Sequence, residues 1–192
     1  EGLKQGYAEE EELKEAIRKI DEEAKSYEST MVKDVVIDEH GEHIHLPTKE
    51  QVAKAVAEVA QLLGISQSQQ ISYAENAEKE LQNVRITTKL DVIKLTKLNG
   101  EFEEKSLIKH EFMYTGATAT GDTVVVAYIP KPIAAKSKEL SHIDKKPEIL
   151  QDDPVLKWGF VSLSGDPQKV SYVIEKRVGS SKIREIEIVP LV

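Results

Sequence analysis

Apolar residues recur along this chain with two different periods, and the change between them falls near Asn83. Before that point the spacing is helical. Leu13, Ala16, Ile17, Ile20, Ala24 and Tyr27 stand three and four residues apart, which is the stripe of an amphipathic helix over 9–27. Glu10 with Lys14 and Glu15 with Lys19 add ion pairs one turn apart in the favourable order. Such a helix is expected to pack on its own domain; a contact between chains is the alternative, on a short heptad pattern. Segments 31–37 and 42–46 read as the two strands of a small hairpin. Asp38-Glu39-His40-Gly41 would make its turn, with Gly41 free to take positive φ. Thr48 with Gln51 forms a capping box ahead of a helix whose stripe is Val52, Val56, Val59 and Leu63, and Gly64 stops it. Ser66 with Gln69 opens a further helix to about Gln82.

From Val84 onward the period is two. Val84, Ile86, Thr88, Leu90 and Val92 share a face, and the apolar phase then slips to Ile93 and Leu95, as at a β-bulge or a change of sheet. Asn99-Gly100 is a hairpin turn. Ile108, His110, Phe112 and Tyr114 return on one face. The run Val124-Val125-Val126-Ala127-Tyr128-Ile129 is apolar throughout, as suits a strand buried on both sides, and Pro130 ends it. Beyond the Asp152-Asp153-Pro154 turn, Leu156, Trp158 and Phe160 alternate with Lys157 and Gly159. Trp158 reads as a core anchor rather than a stacking platform for a ligand. Val170, Tyr172 and Ile174 face inward, and a last strand over 183–189 stops at Pro190 as a candidate open edge. Many short strands separated by turn signals indicate a β-sandwich.

Composition narrows the function. The net charge is −8. That argues against nucleic acid and against anionic membrane surfaces. There is no cysteine, so disulfides and thiolate metal sites are excluded. Abundant Glu and Lys with few Met fit a thermophile. No apolar run is long enough to span a bilayer. Glu1 is not an initiator methionine, and the chain is expected to be a trimmed fragment of a longer anchored protein.

The order I-P-K-x-I-A, then D-D-P, then W-x-F is carried by Ile129-Pro130-Lys131, Ile133-Ala134, Asp152-Asp153-Pro154, Trp158 and Phe160. Ser164-Gly165-Asp166 and Ser171-Tyr172-Val173-Ile174 follow it. The pattern resembles a domain that recurs in cell-surface and S-layer-associated proteins of archaea, and the likeness covers 84–178. It implies an immunoglobulin-like β-sandwich outside the cell, often near a membrane anchor. It brings no catalytic residues with it.

The densest candidate chemistry is His40, His43 and His45 in the string DEHGEHIH. His43 and His45 are two apart on a strand and share a face, and imidazole nitrogens on a hairpin bind Zn²⁺, Ni²⁺ or Cu²⁺. Their spacing matches no established metal motif, so a solvated hairpin face is the plainer reading and any zinc or nickel would be adventitious. The acidic pairs Glu103-Glu104 and Asp152-Asp153 read as surface charge; a loose Ca²⁺ site at Asp152 and Asp153 is the alternative. No nucleophile elbow, Walker loop or dinucleotide fingerprint occurs.

The readings combine into an α+β chain: a helical region with a small β-hairpin over 1–83, then an immunoglobulin-like antiparallel β-sandwich over 84–192. The expected role is a non-enzymatic structural or interaction module of an archaeal envelope, S-layer or filament protein. It would bind protein partners or itself, and it would not bind nucleic acid or insert directly in a membrane. The alternative is a metal- or ligand-binding extracellular domain built on the three histidines.

Overall fold

The computed structural model describes the backbone from Gly2 and the side chains from Glu10, both to Val192. The helices are α1 (Gly2–Thr30), α2 (Lys49–Leu63) and α3 (Gln67–Glu80). The strands are β1 (Val32–His45), β2 (Val84–Lys97), β3 (Phe102–Tyr114), β4 (Thr123–Tyr128), β5 (Ser141–His142), β6 (Glu148–Gln151), β7 (Val155–Phe160), β8 (Gln168–Ile174) and β9 (Glu187–Leu191). They form one sheet of order β1-β2-β3-β8-β5 and a second of order β6-β7-β4-β9. The chain divides into two compact units: residues up to Val36 with Lys94–Glu103, and Ile37–Ile93 with Glu104–Val192.

The larger unit is built in three layers, and β4 shows why. Its side chains alternate between two cores. Val125 and Ala127 face the first sheet with Leu156, Trp158, Phe160 and Ile188. Val126 faces the other way, toward α2, with Val155, Val189 and Leu191. The uninterrupted apolar run predicted burial on both sides, and the strand has it. β4 pairs antiparallel with β7, Val125 opposite Trp158, and with β9, Val125 opposite Pro190. Pro190 has no N–H to give a ladder, and it sits where none is needed, on an edge strand. Across the sandwich, Phe112 and Phe160 meet with ring centroids 5.5 Å apart.

The helices of the larger unit start and stop where their end signals stand. The Thr48 side chain accepts from Gln51 N–H and the Gln51 side chain from Thr48 N–H, a closed capping box. Gly64 terminates α2 at φ 65°. Ser66 accepts from Gln69 N–H at the start of α3. Val52, Ala55, Val56 and Val59 of α2 then bury against the second sheet. This packing is why the compact units do not follow the expected boundary at Asn83: α2 and α3 share a core with β4, β7 and β9 and belong to the same unit.

Two further expectations are corrected. Segment 31–46 is one strand, not a hairpin, and Gly41 does not have positive φ. Arg177 holds the carboxylates of Asp38 and Glu39 in extended chain, with Glu104 as a third partner. The Gly41 backbone passes so close to Ser180 that a Cβ there would stand 2.8 Å from the Ser180 Cβ. The glycine is used for close approach, not for a turn. Secondly, β2 runs on without a break through Ile93 and Leu95. The slip in apolar phase coincides with the passage from one compact unit to the other after Ile93.

In the smaller unit, α1 carries ladders of i,i+3 and i,i+4 ion pairs, among them Lys14 with Glu10, Arg18 with Glu15 and Glu22, and Lys25 with Asp21. Its last turn is closed by the β2–β3 turn: Asn99 N–H donates to Glu28 O at 2.9 Å and Leu98 N–H to Met31 O at 3.0 Å. Gly100 completes that turn at φ 87°. The expectation that α1 buries its stripe in its own domain is not met, since Leu13, Ile17, Ile20 and Tyr27 are all exposed.

Candidate functional site

The three histidines of β1 are separated by the strand's own alternation. Glu39, Gly41, His43 and His45 point inward, while His40 points out. His40 Nδ1 lies 2.7 Å from Asp91 Oδ1 on the exposed side. His43 and His45 meet edge to face with centroids 4.7 Å apart. The structure therefore brings two of the predicted ligands together and not the third. Among the described residues no group of three or more His, Asp or Glu is placed to hold a metal ion.

His45 instead ends a buried polar line that crosses four strands. Its Nε2 is 2.6 Å from Thr88 Oγ1 on β2, Thr88 Oγ1 is 2.7 Å from His110 Nδ1 on β3, and His110 Nε2 is 2.8 Å from the Tyr172 hydroxyl on β8. Thr88, His110 and Tyr172 are fully buried. Burial, with His43 beside it, pushes His45 down to about 4, and burial, with His45 nearby, pushes His110 down to about 3. Burial also drives the Tyr172 hydroxyl upward. Every member is neutral at pH 7.

Neutrality fixes the direction of the donors. Thr88 has one proton and two imidazole partners, so it donates to one and accepts from the other. If the line ran from His45 to Tyr172, the Tyr172 proton would have no acceptor among the described residues, in a site where an unmade hydrogen bond costs roughly 1–3 kcal/mol. Run from the other end, every proton inside the line has an acceptor: Tyr172 donates to His110 Nε2, His110 Nδ1–H to Thr88, and Thr88 to His45 Nε2, which leaves outside the line the His45 Nδ1–H at its less buried end. Both histidines are then expected as Nδ1–H tautomers. Nitrogen-15 NMR of the imidazoles reads this directly, and an Nε2–H signature for His110 would reverse the line.

The line locks register. Shifting β1 by one residue would turn His45 outward and leave Thr88 with one partner too few. The Arg177 cluster does the same farther along β1. Its guanidinium donates to Asp38 and Glu104 at 2.5 Å and to Glu39 at 2.9 Å, and these carboxylates, Asp38 first, hold Arg177 above its usual range. Glu39 also accepts from Ser180, the chief reason its carboxyl is held below the usual range.

Two of the open clefts are lined mainly by polar groups. One of about 310 Å³ is lined by His43, His45, Gln51, Arg184 and Glu187. A larger one, about 510 Å³, lies beside Glu58, Tyr128, Lys131 and Asp153. There the Tyr128 hydroxyl is buried without a hydrogen-bond partner among the described residues. Burial first, and the Glu58 carboxylate close by but outside hydrogen-bond geometry, raise its pKa. Where calcium was the alternative to plain surface charge, Asp152 is occupied as a loop brace, accepting from the Ser137 hydroxyl at 2.6 Å and pairing with Lys136, while Asp153 faces Lys131 at 4.0 Å. Glu103 pairs with Lys97.

No family model matches the chain, and neither a curated protein nor a solved structure does.

Proposed function

We propose that this chain is a non-enzymatic structural or interaction module of an archaeal cell-surface assembly, acting through exposed faces and strand edges. The observation that carries this reading is the amount of apolar surface in the smaller unit that stands exposed among the described residues. Leu13, Ile17, Ile20 and Tyr27 of α1 and Val32, Val35 and Val36 of β1 are all exposed. Exposed apolar residues concentrated in one unit, as these are, are what contact sites present. β1 is also a 14-residue edge strand, with a row of backbone groups open for pairing. The I-P-K, D-D-P and W-x-F pattern supports the cell-surface assignment by resemblance. Contacts that are individually weak but repeated along a lattice sum by multivalency.

The expected result is no turnover on generic ester, phosphate or glycoside substrates, with monomers or weak dimers in dilute solution by light scattering. Reproducible turnover abolished by changing one carboxylate or histidine would overturn the reading. A second reading, a metal- or ligand-binding extracellular domain, draws on the His43–His45 pair beside its cleft. Calorimetric titration with Zn²⁺ separates the two: tight stoichiometric binding lost in His43→Ala favours the second.

A further inference from the structure

We propose that α1 pairs with α1 of a second copy as a short antiparallel coiled coil, seamed by Leu13, Ile17, Ile20, Ala24 and Tyr27, with Met31, the first residue past the helix end, closing the last layer. This rests on the interaction reading above and names its partner. The seam residues follow one another at steps of four, three, four, three and four. That is the 3.5-residue repeat of a supercoiled pair, which is narrower than the stripe of a helix lying on a sheet. They stand open: Leu13 is 62% exposed, Ile17 58%, Ile20 65%, Tyr27 59% and Met31 52%.

Charge and the packing of the other helices decide what covers them. A bilayer takes helices whose polar face is basic. Over 10–30, α1 has eight acidic and four basic side chains, so anionic lipid repels it. α2 and α3 pack Val52, Ala55, Val56, Val59 and Ala77 on the second sheet and leave only the scattered Leu62 and Ile71 exposed, so among the described residues α1 holds the one free helical seam. The heptad partner available in this sequence is therefore α1 itself.

The flanking charges choose the orientation. In a parallel pair, Glu23 of each copy meets Glu28 of the other, twice over, and Asp21 meets only Ala16. In an antiparallel pair the layers are Leu13 with Met31, Ile17 with Tyr27 and Ile20 with Ala24, the small Ala24 facing a branched side chain. Lys14 then meets Glu28 twice, once on each side of the dyad, two attractions that the parallel arrangement lacks within the seam. The cost sits at the dyad, where Asp21 meets Asp21 and Glu23 meets Glu23. Like charges there keep the pair weak and give it a signature.

The test is the Asp21→Lys/Glu23→Lys variant of the full chain, studied by sedimentation equilibrium at low salt alone and mixed with the parent. In the antiparallel seam the variant repels itself at the dyad and attracts the parent. The variant alone is expected to stay monomeric, and the mixture to associate roughly ten-fold more tightly than the parent alone. In a parallel seam the variant would associate with itself more tightly, because position 23 would then attract Glu28; that result overturns the orientation. A mixture no tighter than the parent overturns the seam. Ile17→Asp/Ile20→Asp is the control: both positions are exposed, so thermal unfolding should match the parent while association disappears. Failure here with a blank substrate screen removes the seam and leaves the interaction reading in place. Turnover in that screen removes the interaction reading whatever the helix does.

Discussion

Trp158→Ala is expected to destabilise the larger unit by ~3–5 kcal/mol, the range for truncating a large buried aromatic. Trp158 is 1% exposed and lies between the sheets with Leu156 and Phe160 on the same side of β7, as the alternation predicted. His110 faces it with ring centroids 6.2 Å apart. Two costs are in play. The indole N–H donates to Lys145 O at 3.1 Å, but Lys145 is an exposed loop residue whose carbonyl water can serve instead. The void between two sheets has no such replacement, because both walls are pinned by ladders on either side. The cavity term therefore dominates. Urea unfolding should show a lower midpoint with an unchanged slope. A loss under ~1 kcal/mol would put Trp158 among surface residues and reopen the stacking-platform reading.

The parts of this fold legible in the sequence are those governed by neighbours along the chain. Thr48, Gly64, Ser66 and Gly100 each act within a few residues, and each stands where its signal placed it. The alternation of β2, β3 and β7 is likewise a local consequence of the pleat. What failed was set by residues far away. Gly41 looked like a turn glycine because Asp38, Glu39 and His40 precede it. Its extended conformation is imposed by Arg177 and Ser180, more than 130 positions later. The boundary near Asn83 failed for the same reason. A change of period marks a change of secondary structure, but compact units follow burial, and the undersides of α2 and α3 are completed by Val126, Val155, Val189 and Leu191.

The candidate site was legible only in pieces. The strand period puts His43 and His45 on one face, and an unbroken strand puts His40 on the other. Thr88, His110 and Tyr172 were each placed facing inward from the alternation, but nothing local says that they meet. The available hint was composition: three inward faces otherwise apolar each carry one polar residue at mid-strand, and a buried polar group needs a partner. The exposure of α1 was hidden by an assumption. An amphipathic stripe announces that a helix must be covered, and it says nothing of whether the cover lies in the same chain.

The buried histidines should make this protein lose stability on mild acidification, well before its carboxylates titrate. An unfolded histidine takes up a proton near pH 6.5. Folded, His45 does so only at about 4 and His110 at about 3, burial being the main cause of both depressions. Between these limits the unfolded chain binds more protons than the folded one, so stability rises with pH. The contribution is whole above ~6.5 and is lost as pH falls toward ~4. With both histidines charging only on unfolding, the slope is about 2 kcal/mol per pH unit between pH 6 and 5. Over the whole shift, ~1.4 kcal/mol per unit makes His45 alone worth about 3 kcal/mol, a large part of the 5–15 kcal/mol that holds a domain together. The groups facing the line do not reverse the sign. His43 adds repulsion to a charged His45. His142, across the ring of Tyr172, is itself pushed down by burial. The depressed carboxyls of Glu39 and Asp152 act in the same direction, but only from the ordinary carboxylate range downward. Urea unfolding at pH 7, 6 and 5 isolates the histidine window. His110→Gln should flatten that slope by roughly a third to a half, since it leaves His45 and the depressed His142. Stability that does not change between pH 6.5 and 5 would mean that water reaches the line and that neither histidine is held neutral by the fold.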